Sequence, residues 1–249
     1  MRTIDLNCDL GEGFSHDAEL MQLISSANIA CGAHAGDATT MAVAVALAKQ
    51  HGVAIGAHPG FADRENFGRR VLSFSPSVAA DLVRAQIRAL QEIAREQDAV
   101  LRHVKLHGAL YNLAARDEAL AEAIVRAVSV TEGQPGLFVL AGSALERIAR
   151  AHGKFFVAAE VFADRTYRRD GSLTPRSRPD ALITDEDAAV AQVLRIVREG
   201  VVTATDGTDV ALHADTVCLH GDGAHAVEFA QRLNRDLRAA GIEIRAFGA

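Results

Sequence analysis

Polar residues alternate with apolar ones in a short stretch near the start of the chain. Between residues 4 and 9, Asp5, Asn7 and Asp9 occupy every second position. Side chains alternate between two faces along a β-strand, so these three share one face. Polar groups on a buried strand are costly unless they are partnered. We therefore expect this face to point into the polar mouth of a site, and an exposed edge strand is the alternative.

Titratable residues also stand near the ends of other apolar stretches. Lys105 and His107 share one face of residues 101–108. Six of the seven strands that we predict end in titratable groups. Besides Asp9, Lys105 and His107, these residues are His34, Asp37, His58, Glu160, Asp164, His220 and Asp222. A single histidine is more often structural, but their recurrence at strand ends is typical of the catalytic face of α/β proteins. Helix capping is the alternative for Asp37 and Asp222.

These residue types suit acid–base or Lewis-acid chemistry on a polar substrate. Histidines and carboxylates exchange protons near neutral pH and also bind divalent metals. Asp9, His58 and His107 are our candidate metal ligands, although neither His-Glu-x-x-His nor Cys-x-x-Cys is present. Lys105 can stabilise an oxyanion or a phosphate, and an ion pair with Asp5 or Asp9 is its alternative.

Anion-binding candidates lie in two long polar loops. Arg69 and Arg70 belong to the loop at residues 60–75, and Arg165 opens an arginine-rich loop at residues 164–184. Guanidinium groups bind phosphate or carboxylate through two parallel hydrogen bonds, and a solvated arginine loop is the alternative. Neither Gly-x-x-x-x-Gly-Lys-[Ser/Thr] nor Gly-x-Gly-x-x-Gly occurs, so no familiar nucleotide fingerprint is present.

Strands and helices alternate along the chain and position these groups. The predicted strands are residues 3–9, 27–32, 53–57, 101–106, 136–140, 155–161 and 216–219, and a hairpin is predicted at 201–212. The predicted helices are residues 39–51, 77–97, 117–128, 144–152, 185–198 and 224–239. This alternation predicts a parallel sheet with right-handed crossovers in one α/β domain, residues 1–249. Periodicity alone leaves open whether the sheet closes.

Composition narrows the class of protein. The 249 residues are 49% hydrophobic, and the net charge of −6 does not favour nucleic acid as a partner. An odd count of three cysteines favours buried free thiols over a disulfide framework. No signal peptide or membrane-spanning stretch is evident, so we expect a cytoplasmic protein without a membrane partner.

Six motifs together resemble the LamB/YcsF family. They begin with Asp5-Leu-Asn-Cys-Asp-Leu-Gly-Glu-Gly13, Asn28-Ile-Ala-Cys-Gly-Ala-His-Ala-Gly-Asp37 and Gly56-Ala-His-Pro-Gly60 with Phe67-Gly-Arg-Arg70. They continue with Lys105-Leu-His-Gly-Ala-Leu-Tyr-Asn112, Glu160-Val-Phe-Ala-Asp-Arg165 and His220-Gly-Asp222. Three positions depart from the family pattern: Ala33, Ala38 and Leu106 replace Phe, Pro and Pro beside the chemical groups.

The resemblance implies a fold, an activity and partners. The fold is a distorted seven-stranded (β/α) barrel, similar to glycoside hydrolase/deacetylase barrels. The activity is that of the A subunit of an ATP-dependent 5-oxoprolinase, which opens the lactam of 5-oxo-L-proline to L-glutamate and acts with B and C subunits. ATP, with Mg, would be a co-substrate, and a bound divalent metal is a further expectation.

Under this interpretation the candidate residues divide into two groups. The catalytic candidates are Asp9, His34, Lys105, His107, Glu160 and Asp222. The candidates for binding substrate or nucleotide are Asn7, Asn28, Asp37, His58, Arg69, Arg70, Asn112, Asp164, Arg165 and His220. Two alternatives remain: a metal-dependent amide or sugar deacetylase that uses the same barrel mouth without ATP, and a non-catalytic subunit that binds a metabolite and regulates its partners.

Overall fold

Seven parallel strands close into a barrel, as expected for a (β/α) protein. The computed structural model describes residues 2–220 and 225–248. Its strands are β1 (Arg2–Leu10), β2 (Ser26–Ala30), β3 (Ala54–His58), β4 (Leu101–Lys105), β5 (Gly136–Leu140), β6 (Val157–Phe162), β7 (Val201–Thr203), β8 (Asp209–Ala211), β9 (Thr216–His220) and β10 (Ile242–Ile244). Strands β1 to β6 pair in order, β6 pairs with β9, and β9 pairs with β1 to close the barrel. The expected seven-stranded barrel is confirmed.

Helices connect most of the barrel strands and cover their outer face. They are α1 (Asp17–Leu20), α2 (Ala38–His51), α3 (Pro76–Glu96), α4 (Gly108–Ala114), α5 (Glu118–Ser129), α6 (Ala144–His152), α7 (Glu186–Glu199) and α8 (Ala226–Ala239), with a 3-10 turn at Arg64–Asn66. Asp37 caps α2 by accepting a hydrogen bond from the backbone of Thr40, and Gly52 ends the helix in the left-handed region. All six predicted helices are present, whereas α1 and α4 were not predicted.

Strand register brings the polar residues to common levels of the barrel. Asp9 on β1 lies beside Asn28 on β2 and beside His220 on β9. Glu160 on β6 lies beside Thr216 on β9. Because the strands are parallel, their carboxyl ends meet at one mouth, where the loops that follow them gather.

The polar face of β1 points into the barrel interior, but only its last residue reaches the mouth. Asp5 is 1% exposed and accepts hydrogen bonds from the hydroxyls of Ser25, Ser26 and Thr216. The expectation that the whole face lies at the mouth was therefore wrong for Asp5, which hydroxyl donors satisfy deep inside the barrel.

Two further elements complete the chain. The predicted hairpin is present as β7 paired antiparallel with β8. The unpredicted strand β10 pairs with the first residues of β1, so that β1 has β10 and β9 as well as β2 as neighbours. Cys8, Cys31 and Cys218 are buried free thiols, as expected. Within the described residues, none of the helices is both long enough and apolar enough to cross a membrane.

Candidate functional site

A cavity of about 640 Å³ opens at the carboxyl ends of the barrel strands. Its lining includes Asp9, Glu12, His58, Lys105, His107 and Tyr111. Arginines from the surrounding loops line it as well: Arg69, Arg116, Arg165, Arg168 and Arg176. The barrel therefore brings acidic, imidazole and cationic groups from separate segments of the chain into one place.

Lys105 lies at the centre of this arrangement, between two carboxylates. Its Nζ is 2.8 Å from Asp9 Oδ1 and 2.9 Å from Glu160 Oε1. Burial alone would lower the pKa of Lys105, but the charge of Asp9 foremost, together with that of Glu160, raises this pKa well above its usual value. Lys105 is therefore a fixed ammonium group, and its partners are Asp9 and Glu160 rather than Asp5.

Glu160 is completely buried and held by two further donors. The hydroxyl of Tyr111 donates to Oε2 at 2.6 Å, and Asn7 Nδ2 donates to Oε1 at 3.0 Å. Hydrogen bonds to an ionised acceptor are short and strong. Tyr111 thus fixes the carboxylate that in turn fixes Lys105, a role that the sequence did not assign to it.

Asn7 and Asn28 support the site from below. Asn28 Nδ2 donates to Asn7 Oδ1 at 2.7 Å and to Asp9 Oδ1 at 2.9 Å. His103 Nε2 donates to Asn28 Oδ1 at 2.8 Å, and burial together with the charge of Lys105 lowers the pKa of His103 to about 3. Both asparagines are completely buried and lie outside the cavity lining. They orient Asp9 and Glu160, whereas we had expected them to orient the substrate.

The rings of His58 and His107 lie nearly perpendicular to each other beside Asp9, with their centroids 4.8 Å apart. His58 Nδ1 donates to the carbonyl of Lys105 and His107 Nε2 donates to the carbonyl of Phe67, each at 2.8 Å. These bonds leave His58 Nε2 and His107 Nδ1 facing each other at 2.9 Å. Asp9 Oδ2 lies 3.3 Å from His58 Nε2.

Glu12 joins these histidines from the loop after β1. Its Oε1 is 3.1 Å from His34 Nε2, 3.4 Å from His107 Nδ1 and 3.8 Å from His58 Nε2. The ring of His34 stacks on that of His107, with the centroids 3.7 Å apart. Burial lowers the pKa of His34, so its ring is neutral, and its buried Nδ1 has no partner in the part of the chain that the structure describes.

Two glycines leave room for the stacked rings. A Cβ atom on Gly60 would lie 2.8 Å from His34 Nδ1, and one on Gly68 would lie 2.8 Å from His34 Cβ and 3.0 Å from His107 Cδ2. Gly68 also has a φ of +61°, in the region that favours glycine.

The imidazole pair fits a divalent cation. Both facing nitrogens carry lone pairs when the rings are neutral, because each ring already donates through its other nitrogen. Lone pairs 2.9 Å apart repel unless a proton or a cation lies between them. Glu12, His34, His58 and His107 offer donor atoms within 4.8 Å of one another. Imidazole and carboxylate are common donors to divalent transition metals.

Asp164, His220 and Arg176 form a chain at the opposite wall. Arg176 Nη2 lies 3.0 Å from His220 Nε2, and His220 Nδ1 lies 2.8 Å from Asp164 Oδ2. Arginine can only donate, so Nε2 of His220 accepts and Nδ1 donates to Asp164. Burial raises the pKa of Asp164, but its interaction with His220 foremost, together with the charge of Arg176, outweighs burial and lowers this pKa.

Several residues that we expected in the site lie away from the cavity or are bonded to other groups. Asp37 is exposed and caps α2, and Arg70 has a 61% exposed side chain, pairs with Asp63 at 3.4 Å and does not line the cavity. Asn112 lines the cavity, but its amide donates to the carbonyl of Gly108 in its own helix. Arg69 lines the cavity with its guanidinium over the ring of Phe67. Asp222 lies outside the described residues.

Comparison with known proteins places the chain among relatives of nearly equal length. The chain is 52% identical over 252 residues to the A subunit of 5-oxoprolinase from Bacillus licheniformis, covering 99% of both chains. The crystal structure of the lactam utilization protein from Thermus thermophilus superposes with a TM-score of 0.91 at 45% identity, covering 98% of this chain and all of that one.

A more distant likeness concerns the fold alone. The T48 deacetylase, solved with its substrate, gives a TM-score of 0.52 at 13% identity, over 98% of this chain and 87% of that one. The model of the LamB/YcsF family matches residues 4–249. With this match, the near full-length relatives and the motifs gathered around one cavity, the chain belongs to the LamB/YcsF family.

Proposed function

We propose that this chain is the A subunit of an ATP-dependent 5-oxoprolinase. The reaction opens the lactam of 5-oxo-L-proline to L-glutamate as ATP is hydrolysed to ADP and phosphate, in a cytoplasmic complex with B and C subunits. The names of the near full-length relatives support this assignment. The observation that carries it is the ammonium group of Lys105, fixed between Asp9 and Glu160 beside an imidazole pair.

ATP serves to activate a stable amide. Transfer of a phosphoryl group to the lactam oxygen activates the carbonyl carbon. A first water adds to that carbon and the ring nitrogen leaves as the amine, which opens the ring to an acyl phosphate, and a second water hydrolyses this acyl phosphate to L-glutamate and phosphate. Negative charge develops on oxygen in this chemistry, and fixed cations stabilise such charge. Lys105 is the cation that we assign to the lactam oxygen, because Asp9, Glu160 and Tyr111 hold it and its partners in place.

Glu12 is the proton acceptor that we propose for the attacking water. Its carboxylate lines the cavity beside His34 and His107. A general base must lie within hydrogen-bond reach of the water, which a carboxylate on the cavity wall satisfies. The neutral ring of His34 orients this carboxylate through its 3.1 Å contact with Oε1.

The imidazole pair is the proposed cation site. His58 Nε2, His107 Nδ1 and Asp9 Oδ2 would hold a divalent ion, since His58 Nε2 lies 2.9 Å from His107 Nδ1 and 3.3 Å from Asp9 Oδ2, close enough for donors that each bind one ion at about 2 Å. Such an ion supplies Lewis-acid stabilisation of a carbonyl oxygen. The carbonyls of Lys105 and Phe67 orient the two rings as donors.

The experiment measures glutamate formed from 5-oxo-L-proline, with ATP present or omitted. It is run on this chain alone and on its mixture with the B and C subunits. ATP-dependent glutamate from the mixture supports the proposal, and no glutamate from an assembled complex contradicts it.

A metal-dependent amide or sugar deacetylase is the second candidate. The observation in its favour is the same pair of facing imidazole nitrogens next to Asp9. That enzyme would release acetate from an N-acetylated sugar when loaded with a divalent metal, without ATP or partner subunits. Acetate release by the metal-loaded chain alone would favour this candidate over the lactam reaction.

A further inference from the structure

We propose that Arg165, Thr174 and Arg176 form a subsite for the carboxylate of the lactam substrate. This inference rests on the proposed function and names the residues that select the substrate by its carboxylate. All three residues line the cavity, on the wall formed by the loop at residues 164–184.

Arg165 is a buried cation without a carboxylate partner in residues 2–220 and 225–248. It is 5% exposed, and its guanidinium donates to two backbone carbonyls, from Nε to Ala181 at 3.2 Å and from Nη2 to Thr174 at 2.6 Å. Burial and the nearby charge of Arg176 lower the pKa of Arg165 to about 10, although the charge of Asp164, which forms no direct ion pair with Arg165, opposes them. A charged group that is buried without a counter-ion is costly, and a bound anion would remove that cost.

Thr174 lines the same wall of the cavity and carries a buried hydroxyl. The residue is 1% exposed, and its Oγ1 has no hydrogen-bond partner in the described part of the chain. Buried polar atoms nearly always have partners, so an unpaired hydroxyl in a cavity wall indicates a position for a ligand. Its backbone carbonyl also holds Arg165, which fixes the two groups relative to each other.

Arg176 is held in place without losing its charge. Its Nη2 donates to Nε2 of His220, and Nδ1 on the other side of that ring contacts the carboxylate of Asp164. Arg165 and Arg176 carry two positive charges on this wall, and the charge of Asp164 offsets them only in part, which suits a bound anion. Two guanidinium groups and a hydroxyl also suit the planar geometry of a carboxylate.

The distances to the proposed reacting centre fit one small molecule. Asp9, which contacts both Lys105 and His58, has a carboxylate oxygen within 4.8 Å of a ring nitrogen of His220, and His220 contacts Arg176. The ring of Phe162 lies between these ends, 5.4 Å from Lys105 Nζ and 5.7 Å from the ring of His220. It offers an apolar surface for the methylene groups of a five-membered lactam.

The test compares an acid with its neutral amide. Calorimetry on the full chain measures binding of 5-oxo-L-proline, 5-oxo-L-prolinamide and inorganic phosphate. We expect the acid to bind at least ~10-fold more tightly than the amide, because hydrogen bonds to a charged group are stronger than those to a neutral one. Arg176→Gln should remove this preference by weakening the acid alone, and Thr174→Val should reduce it.

A matched control comes from the same loop. Arg178→Gln removes an exposed arginine that pairs with Asp180 and lies outside the cavity lining, and it should leave all affinities unchanged. Equal binding of acid and amide by the wild-type chain, or binding to neither, overturns the subsite. Arg176→Gln that weakens phosphate but not the acid would overturn the carboxylate assignment.

This test separates the subsite from the reaction. Binding of the acid needs neither ATP nor turnover. An assembled complex that releases no glutamate, while the chain still prefers the acid over the amide, would remove the proposed function and retain the subsite.

Discussion

His58 Nε2 and His107 Nδ1 face each other at 2.9 Å because backbone carbonyls fix the opposite nitrogen of each ring. The two rings respond differently to this arrangement. Burial lowers the pKa of both rings. For His58 the charge and hydrogen bond of Asp9 outweigh burial, so its pKa is raised. For His107 the charges of His58 and His34 add to burial and lower its pKa further. Without a cation, the pair therefore shares the proton of an imidazolium at His58. A bound ion would replace that proton.

Metal content distinguishes these two states. We expect about one equivalent of a divalent metal in the purified chain by mass spectrometry, and less than ~0.1 equivalent in His58→Gln and His107→Gln, since loss of one ligand typically lowers affinity strongly. His51→Gln, an exposed histidine at the end of α2, is the control and should keep the metal. A metal-free chain that supports full turnover in the complex would identify the pair as a proton-sharing one.

Glu12→Gln tests the proton acceptor separately from the cation site. The amide keeps the size of the side chain but cannot accept a proton, so turnover should fall ~10²-fold or more. Metal content should stay at the wild-type level because the proposed ligands are Asp9, His58 and His107. Loss of metal together with turnover would instead make Glu12 a ligand.

Tyr111→Phe removes the 2.6 Å hydrogen bond to Glu160. We expect a loss of about 1–3 kcal/mol in the free energy of unfolding, because a buried carboxylate loses a donor. Turnover should also fall by ~10-fold as the Glu160–Lys105 pair loosens. Tyr167→Phe is the matched control: Tyr167 does not line the cavity and its hydroxyl accepts from the backbone N–H of Phe162, so stability should fall while turnover stays closer to the wild-type value than in Tyr111→Phe. Equal turnover in both variants would remove Tyr111 from the site.

Asp5 makes stability depend on pH. Burial outweighs its hydroxyl donors and raises the pKa of Asp5 from 3.8 to about 6. The folded state then holds a proton that the unfolded state releases, so stability falls as pH rises from about 4 through 6. The shift corresponds to about 3 kcal/mol.

The non-titrating variant Asp5→Asn isolates this effect. Urea unfolding of both proteins across this range should show wild-type stability declining relative to the variant. A constant difference between the two would exclude a proton on Asp5.

Gly68→Ala tests the space around the stacked histidines. The new methyl group would meet His34 and His107, so we expect turnover to fall by ~10²-fold. Gly52→Ala has a similar positive φ of +68° but nothing within 4 Å of the added Cβ. Both variants should lose about 1 kcal/mol of stability from backbone strain, and only Gly68→Ala should lose activity. Loss of activity in both would point to strain rather than to the histidines.

The sequence predicted the barrel strands well because each is a short apolar stretch with flanking turn residues. Helix α4 was missed because Leu106 extends the apolar pattern of β4, which hides the start of the helix at Gly108. Strand β10 was missed because it is three residues long and its partner is the remote N-terminal half of β1. Closure itself depends on pairing between β1 and β9, which no local pattern encodes.

The site was predicted in part, for equally physical reasons. Alternation along strands identified Asp9, Lys105 and Glu160, which do meet. Glu12 follows the strand in a turn between two glycines, where alternation carries no information, although it lies within the first family motif. Tyr111 likewise lies on the unpredicted helix α4. Asn7 and Asn28 lie on the same strand faces as the site residues. Alternation identifies that face, but it does not show which of its residues line the cavity and which are buried beneath it.

Strand β1 pairs with three other strands, and this constrains the order in which the protein folds during synthesis. β1 leaves the ribosome before the other strands, yet two of its partners, β9 and β10, begin at Thr216 and Ile242. Contacts so distant in sequence form slowly. One edge of β1 therefore remains unpaired until those late strands have been translated, and a chaperone or the ribosome surface has the opportunity to cover it until then.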